Sequence, residues 1–154
     1  MRKSIVKCLT LPLLIALLVV ATTVFSASTF PMEVKDIKTL DEEGNPKTSF
    51  RRGDLVLVQA TVDCPFMFYA PPQYNFLFIV KFVNSQGVTF YYGVIYGSLQ
   101  PGKNATYAVG GKIPEGAPTG TYRAYIYVWS NWPAYETPTA YAEVKSVDFT
   151  VTGG

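Results

Sequence analysis

The side chains with the most evident capacity for ligand chemistry are aromatic rings concentrated in two segments. Residues 66–74 read Phe-Met-Phe-Tyr-Ala-Pro-Pro-Gln-Tyr, and residues 129–135 read Trp-Ser-Asn-Trp-Pro-Ala-Tyr. Exposed Trp and Tyr rings stack on sugar rings, so the candidate glycan contacts are Trp132, Tyr135, Tyr69 and Tyr74. The alternative is that these proline-containing loops cap the ends of the fold, since few Asp, Asn and Arg side chains are available to fix sugar hydroxyls.

Catalytic chemistry has little support in the composition. The chain has no histidine, which excludes histidine general bases, Ser-His-Asp triads, blue-copper centres and His-ligated zinc. Its eleven carboxylates are scattered, and no nucleophile elbow, phosphate loop or CxxC motif occurs. The acidic run 41–43 matches no calcium-loop spacing. We therefore predict a non-enzyme with no cofactor and no metal site.

The amino terminus has the order of a secretory signal. Three basic residues (Arg2, Lys3 and Lys7) precede an apolar run over 8–25 and small residues at 26–28, the arrangement that a translocon reads. We predict a signal peptide helix over 1–28 and a mature domain over 29–154. The alternative is an uncleaved N-terminal anchor, although the run is at the short limit for a bilayer span. The predicted location is secreted or cell-surface, with a membrane as partner only if the leader is retained.

Removal of the leader changes the charge and the cysteine count. It takes away three of thirteen basic residues and none of eleven acidic ones, leaving a net charge of −1. Nucleic acid is therefore excluded as a partner, because its binding needs a positive field. Cys64 then has no intrachain partner, and we predict a small buried apolar side chain; the alternatives are an intermolecular bridge or a reactive thiol. Asn104, followed by Ala105 and Thr106, is the candidate glycosylation site in an exported chain.

Short runs rich in Val, Ile, Tyr, Phe and Thr, separated by Gly, Pro and Asn, fill residues 29–152 without helical periodicity. This is an all-β pattern. A shift in apolar phase between Val34 and Ile37 predicts a β-bulge or a strand that divides between two sheets, and a shift between Val144 and Val147 predicts a second β-bulge. About seven strands in this length favour a sandwich of two antiparallel sheets. The predicted strands are 32–40, 55–62, 75–83, 88–96, 105–109, 121–129 and 141–151.

The segment Pro118-Thr119-Gly120-Thr121-Tyr122-Arg123-Ala124 resembles the tyrosine corner of immunoglobulin-like domains, with Tyr122 as the corner. Ala124 stands where an antibody domain has its second cysteine. The resemblance is therefore to disulfide-free modules, fibronectin type III or macroglobulin-like, of secreted or surface proteins of archaea and bacteria. The motif Phe50-x-x-Gly53-Asp54-x-Val56-x-Val58 adds to it. It implies an immunoglobulin-like β-sandwich without an inter-sheet disulfide, and it is poorly specific for role.

Alternation along the predicted sixth strand gives an unusual outer face. Tyr122, Ala124, Ile126 and Val128 share one side, which leaves Arg123, Tyr125, Tyr127 and Trp129 on the other. In an immunoglobulin-like topology the third, fourth and sixth strands share a sheet, so that sheet would be apolar on both faces. We predict an interaction face of Tyr125, Tyr127, Trp129 and Tyr91. The alternative is that the leader-proximal segment or the loops 65–74 and 131–138 cover it.

These observations predict an exported, non-catalytic module that acts by contact, as an adhesive or extracellular assembly subunit. The expected partner is a protein, either a second copy or another surface protein, because tyrosine and tryptophan dominate interface energetics. One variant is filament growth in which residues 28–40 complete the sheet of a neighbour. A carbohydrate-binding module is the alternative. Sequence leaves the partner's identity and the oligomeric state open.

Overall fold

The protein folds into eight strands in two sheets. The structure is a computed structural model that describes residues 30–132, 134 and 137–153. The predicted leader, 1–28, lies outside these residues. Within them, no helix is long and apolar enough to span a bilayer. The strands are β1 (Glu33–Leu40), β2 (Ser49–Arg51), β3 (Leu55–Cys64), β4 (Tyr74–Val83), β5 (Thr89–Leu99), β6 (Lys103–Lys112), β7 (Gly120–Trp129) and β8 (Lys145–Thr152).

The sheets have three and five strands, in the orders β1-β3-β6 and β2-β8-β7-β4-β5. The predicted all-β sandwich is confirmed, as is the placement of the third, fourth and sixth predicted strands (β4, β5 and β7) in one sheet. The eighth strand, β2, is three residues long and pairs with β8 in parallel. The five-stranded sheet is therefore not wholly antiparallel, because the segment after the Pro46 turn runs alongside the last strand.

The core lies between the sheets and follows from strict alternation. In β3 every second residue is buried, from Val56 to Cys64. On β4 the inward side chains are Phe76, Phe78, Val80 and Phe82, and each apolar side chain that leaves water contributes about 1.5–3 kcal/mol. All eight strands and this core lie within residues 30–153.

Tyr122, the predicted tyrosine corner, is fully buried at the start of β7. Its hydroxyl donates a hydrogen bond of 2.7 Å to the carbonyl oxygen of Pro118. The ring packs edge-on against Phe90 and tilted against Phe149. The bond fixes the connection that enters β7, the strand that carries most of the predicted interaction face.

One of the two bulges predicted from apolar phase is present. The β1–β3 register shifts between Lys35 and Lys38, around Asp36, whose φ is 51°. The bulge predicted between Val144 and Val147 is wrong. The last strand begins at Lys145 and pairs with β7 without a shift, so the phase change marks the start of the strand and Val144 precedes it.

A second bulge, which the sequence pattern did not predict, lies in β5. The β4–β5 register shifts between Phe82 and Val83, so that both Phe90 and Tyr91 oppose Phe82. Their ring centroids lie 5.9 and 5.6 Å from the Phe82 ring. Beyond the bulge, Gly93 faces inward, where a Cβ atom would stand 2.0 Å from Cγ1 of Val109 on the opposite sheet. The outward phase of β5 is therefore Tyr92, Val94 and Tyr96.

Candidate functional site

The outer face of the five-stranded sheet brings aromatic side chains from three strands together. On β4, Ile79 lies between Tyr127 of β7 and Val94 of β5, and Lys81 lies between Tyr125 and Tyr92. Cross-strand neighbours stand about 4.5–5.5 Å apart at their Cβ atoms, so these side chains form one continuous surface. We call it the outer aromatic face: Tyr92 and Tyr96 of β5, Leu77, Ile79 and Lys81 of β4, and Tyr125, Tyr127 and Trp129 of β7.

This face holds a concave depression of about 480 Å3, here named the aromatic pocket. It is lined by Ile79, Lys81, Tyr92, Tyr127, Trp129 and Trp132. Trp132 belongs to the segment that leaves β7 after Trp129 and returns at 139, where the Ser130 amide donates to the Thr139 carbonyl at 2.9 Å. That return holds the half-buried Trp132 beside the sheet, and the Tyr127 and Trp129 rings meet edge-on at 5.4 Å.

A single ammonium group dominates the electrostatics of the pocket. Lys81 Nζ lies 4.9 Å from the ring centroid of Tyr125 and 5.8 Å from that of Tyr127, within the range of a cation–π interaction. A hydrogen bond with the Tyr127 hydroxyl is the largest influence that raises the pKa of Lys81. Every salt bridge among the described residues involves other side chains. The pocket therefore presents a positive charge that no described carboxylate neutralises.

On the side away from β5, the outer aromatic face is bordered by an ion pair between β7 and β8. Arg123 of β7 donates two hydrogen bonds, of 2.6 and 2.8 Å, to the carboxylate of Asp148 on β8. This bidentate pairing lowers the pKa of Asp148 and raises that of Arg123. Since both partners are satisfied, this border offers less binding capacity than the unpaired ammonium of Lys81.

Three of the four residues predicted for the interaction face lie together. Tyr125, Tyr127 and Trp129 are half-buried on the outer face. Tyr91 does not join them, and its placement there is wrong: it points inward beside Phe82 and covers Gly111 of β6. Because β5 is bulged and carries glycines on its inner face, its aromatic-rich phase is the outer one, and Tyr92 occupies the predicted place of Tyr91.

Sequence reasoning also missed Lys81 and Ile79 as pocket residues. A signal for Lys81 was present, because it is the one charged residue in the largely apolar strand β4. A charge in the middle of such a strand marks the face that stays open to solvent. No comparable signal distinguishes Ile79 from its buried neighbours.

The four candidate glycan contacts do not form one site. Trp132 lines the aromatic pocket, whereas Tyr74 packs edge-on against Tyr141 at 5.4 Å beside the core. Tyr69 is fully exposed in the loop between β3 and β4, and Tyr135 lies outside the described residues. The loop that carries Tyr69 therefore does not cover the outer aromatic face. The segment 131–138 reaches that face through Trp132, which lines the aromatic pocket.

The remaining predicted positions lie away from the pocket. Asn104 is exposed near the start of β6, opposite Asp63 of β3. Cys64 is fully buried at the end of β3, and desolvation raises the pKa of its thiol. In the described part of the chain no three Cys, Asp or Glu side chains are grouped so as to hold a metal ion.

Comparison with known proteins establishes the fold alone. No family model and no curated protein matches the sequence. The chain is similar to the C-terminal domain of Wzt at 11% identity and a TM-score of 0.63, covering 80% of this chain and 74% of that one. It is also similar to the DNA glycosylase AlkC of Pseudomonas fluorescens at 12% identity and a TM-score of 0.54, covering 81% of this chain and 31% of that one.

A third solved structure, the CARDB domain of a Pyrococcus furiosus protein, gives 16% identity and a TM-score of 0.46 over 82% of this chain and 95% of that one. Similarity this weak adds nothing to the assignment. The class that the fold defines is thus an all-β sandwich of two sheets. Sandwiches of this class serve many unrelated roles, so function has to be argued from the aromatic pocket.

Proposed function

We propose that the chain is an exported, non-catalytic binding module that holds a sugar ring in the aromatic pocket of its outer face. The observation that carries the proposal is the convergence of Tyr92, Tyr127, Trp129 and Trp132 on one depression. Its volume of about 480 Å3 falls within the range of small-ligand sites, about 300–1,000 Å3. A flat protein partner would leave such a concavity unfilled.

The chemistry of the pocket suits a carbohydrate. Aromatic rings offer large apolar surfaces with polar tips, which match a pyranose ring that has an apolar face and hydroxyls at its edge. The Lys81 ammonium and the Tyr127 hydroxyl lie beside those rings and would bind sugar hydroxyls or an acidic substituent. The proposal that the module is not an enzyme is supported by the pocket lining, which carries no carboxylate, thiol or serine that could act on a bound sugar.

Export and membership of the immunoglobulin-like superfamily are parts of the same proposal. Export is supported by the order of basic, apolar and small residues at 2–28. The superfamily assignment is supported by the hydrogen bond from Tyr122 to Pro118, the bond that defines a tyrosine corner. Disulfide-free modules such as fibronectin type III are the expected relatives, since Ala124 occupies the position of the second cysteine.

A glycan array tests the proposal, with residues 29–154 as the probe. Trp132→Ala should abolish binding and leave the melting temperature nearly unchanged, because Trp132 lies at the rim of the pocket outside the core. Tyr69→Ala is the matched control, since it removes an exposed aromatic side chain that does not line the pocket. A blank array, or binding that Trp132→Ala leaves intact, would overturn the assignment.

Contact with a protein, as an adhesive or assembly subunit, is the second candidate, and β5 favours it. This strand is an edge of its sheet, and it exposes 58% of Tyr92 and 77% of Tyr96. An exposed edge with aromatic side chains can pair with a strand of a neighbour. Donation of residues 28–40 has less support, because β1 already pairs with β3 of its own chain. Light scattering at micromolar concentration tests this candidate, which a strict monomer that adheres to no cell or matrix would contradict.

A further inference from the structure

The loop between β3 and β4, residues 65–73, is the most exposed apolar segment of the described protein. We call it the tip loop. Phe66 is 68% exposed, Phe68 is 91% exposed, and Tyr69 is fully exposed. The loop contains no charged residue. Consecutive large apolar side chains in water are unfavourable, and a contiguous group of them marks a surface that another apolar phase receives.

The tip loop is held away from the sandwich by its own contacts. The Phe66 and Phe68 rings meet edge-on at 5.5 Å, and the Ala70 amide donates to the Met67 carbonyl at 3.3 Å. At the base, the Gly102 amide donates to the Cys64 carbonyl at 2.7 Å. Three prolines, at 65, 71 and 72, restrict the backbone further. The loop is therefore a preformed projection whose apolar side chains point outward at little additional entropic cost.

The start of the described chain lies at the same end of the sandwich. β1 is antiparallel to β3, and Glu33 pairs with Asp63, the residue before the last one in β3. The Met32 amide donates to the Tyr141 carbonyl, which fixes the entry of the chain there. Only residues 26–29 separate Phe30 from the apolar run 8–25. The tip loop thus projects from the end at which the chain leaves the sandwich toward residues 8–25, the run that would lie in the bilayer in the alternative in which the leader is retained as an anchor.

We infer that the tip loop is a membrane-docking element that inserts into the interfacial region of a lipid bilayer. Phe66, Met67 and Phe68 would enter the acyl-chain boundary, and Tyr69 would lie at the headgroup level that amphipathic rings prefer. Lys103 opposes Cys64 at the base of the loop and is exposed, so its ammonium would meet lipid phosphates. A projecting loop of apolar side chains without charge fits the fluid apolar boundary of a bilayer better than a structured protein pocket. This inference does not depend on the proposed glycan site.

Insertion is measured with an environment-sensitive fluorophore on residues 29–154. An NBD label is placed at Tyr69→Cys, and the control label is at Gln86→Cys in the β4–β5 turn. Because β4 has ten residues, the control lies about 30 Å away at the opposite end. Cys64 is buried and stays unlabelled in the folded protein. With phosphatidylcholine vesicles, the label at 69 should shift to the blue and brighten, and the label at 86 should not change.

Vesicle sedimentation gives the matched comparison. The triple variant Phe66→Ser/Phe68→Ser/Tyr69→Ser should lower the partition coefficient by about tenfold or more, because it removes most of the insertable apolar surface. Val88→Ser removes an exposed apolar side chain at the other end and should have no effect. Equal binding of the triple variant and the parent would overturn the inference. So would binding that requires phosphatidylglycerol and disappears in salt, or self-association through the loop without vesicle binding.

Discussion

Gly93→Ala tests the assignment of inner and outer faces on β5, on which the position of Tyr92 in the aromatic pocket depends. A Cβ atom at Gly93 would stand 2.0 Å from Cγ1 of Val109 and 3.2 Å from Cε1 of Tyr91. Carbon atoms prefer separations of about 3.5–4.0 Å, so the added methyl overlaps Val109 by about 1.5 Å or more. Val109 is branched at Cβ and buried, so its χ1 is restricted, and relief of the overlap requires a change of rotamer or movement of the strand.

The expected loss is about 1–3 kcal/mol in the free energy of unfolding, the ordinary cost of overpacking a core. Replacing a strand glycine would by itself stabilise the protein by about 0.5–1 kcal/mol, so the overlap has to exceed that gain. Urea denaturation of residues 29–154 measures the change from the shift in midpoint. Gly116→Ala is the control, because nothing lies within 4 Å of a Cβ there.

A double-mutant cycle with Val109→Ala makes the prediction specific. Val109→Ala alone leaves a cavity and destabilises the protein, but it also removes the methyl that Gly93→Ala would strike. The double variant should therefore be more stable than the sum of the single changes predicts, by about 1 kcal/mol or more. A destabilisation below about 0.5 kcal/mol, or strict additivity, would refute the reasoning. It would mean that Gly93 faces solvent and that Tyr92 does not line the pocket.

Three further outcomes are expected in the same urea assay. Tyr122→Phe should cost about 0.5–1.5 kcal/mol, because it removes the hydrogen bond to Pro118 and keeps the ring packing; an unchanged midpoint would contradict this. Hydrogen bonds from the Arg51 amide and from Lys47 hold the pKa of Asp54 below its ordinary value. The ionised Asp54 therefore contributes its full stabilisation of the fold above the unfolded pKa of about 3.9, and this contribution is lost as the pH falls through the folded pKa. Asp54→Asn should therefore lower stability at pH 7 and flatten the acid-side decline, and a decline of unchanged steepness would contradict it. Cys64→Ser should cost about 1–3 kcal/mol more than Cys64→Ala, because it buries a hydroxyl without a partner; equal losses would contradict this.

Most of the architecture was predictable because alternation is a local property. β3 and β7 bury every second residue along most of their length, and the inner face predicted for β7 from its alternation is confirmed. Turn chemistry is equally local: Gly53, before β3, and Gly87, between β4 and β5, have φ values of 83° and 79°, which glycine adopts without strain. β2 was missed because three residues in parallel pairing leave no periodic signal.

The predicted site was only partly right because its errors depend on contacts between distant strands. The face of β5 is decided by the bulge opposite Phe82 and by the approach of Val109 to Gly93, neither of which is visible in the strand's own pattern. Trp132 reaches the pocket because the chain returns to β7 at 139. Loop paths of this kind depend on the finished sandwich, so the sequence indicated that Trp132 was a candidate without indicating its neighbours.

Two of the four edge strands of the sandwich, β1 and β5, differ in how they would behave in a concentrated solution. β1 bears the distortion at Asp36 and four charged side chains among its eight residues, and both features discourage another chain from aligning with it. β5 has eleven residues and no charge. Gelation or fibre formation on storage should therefore start along β5, and Val94→Lys should delay it.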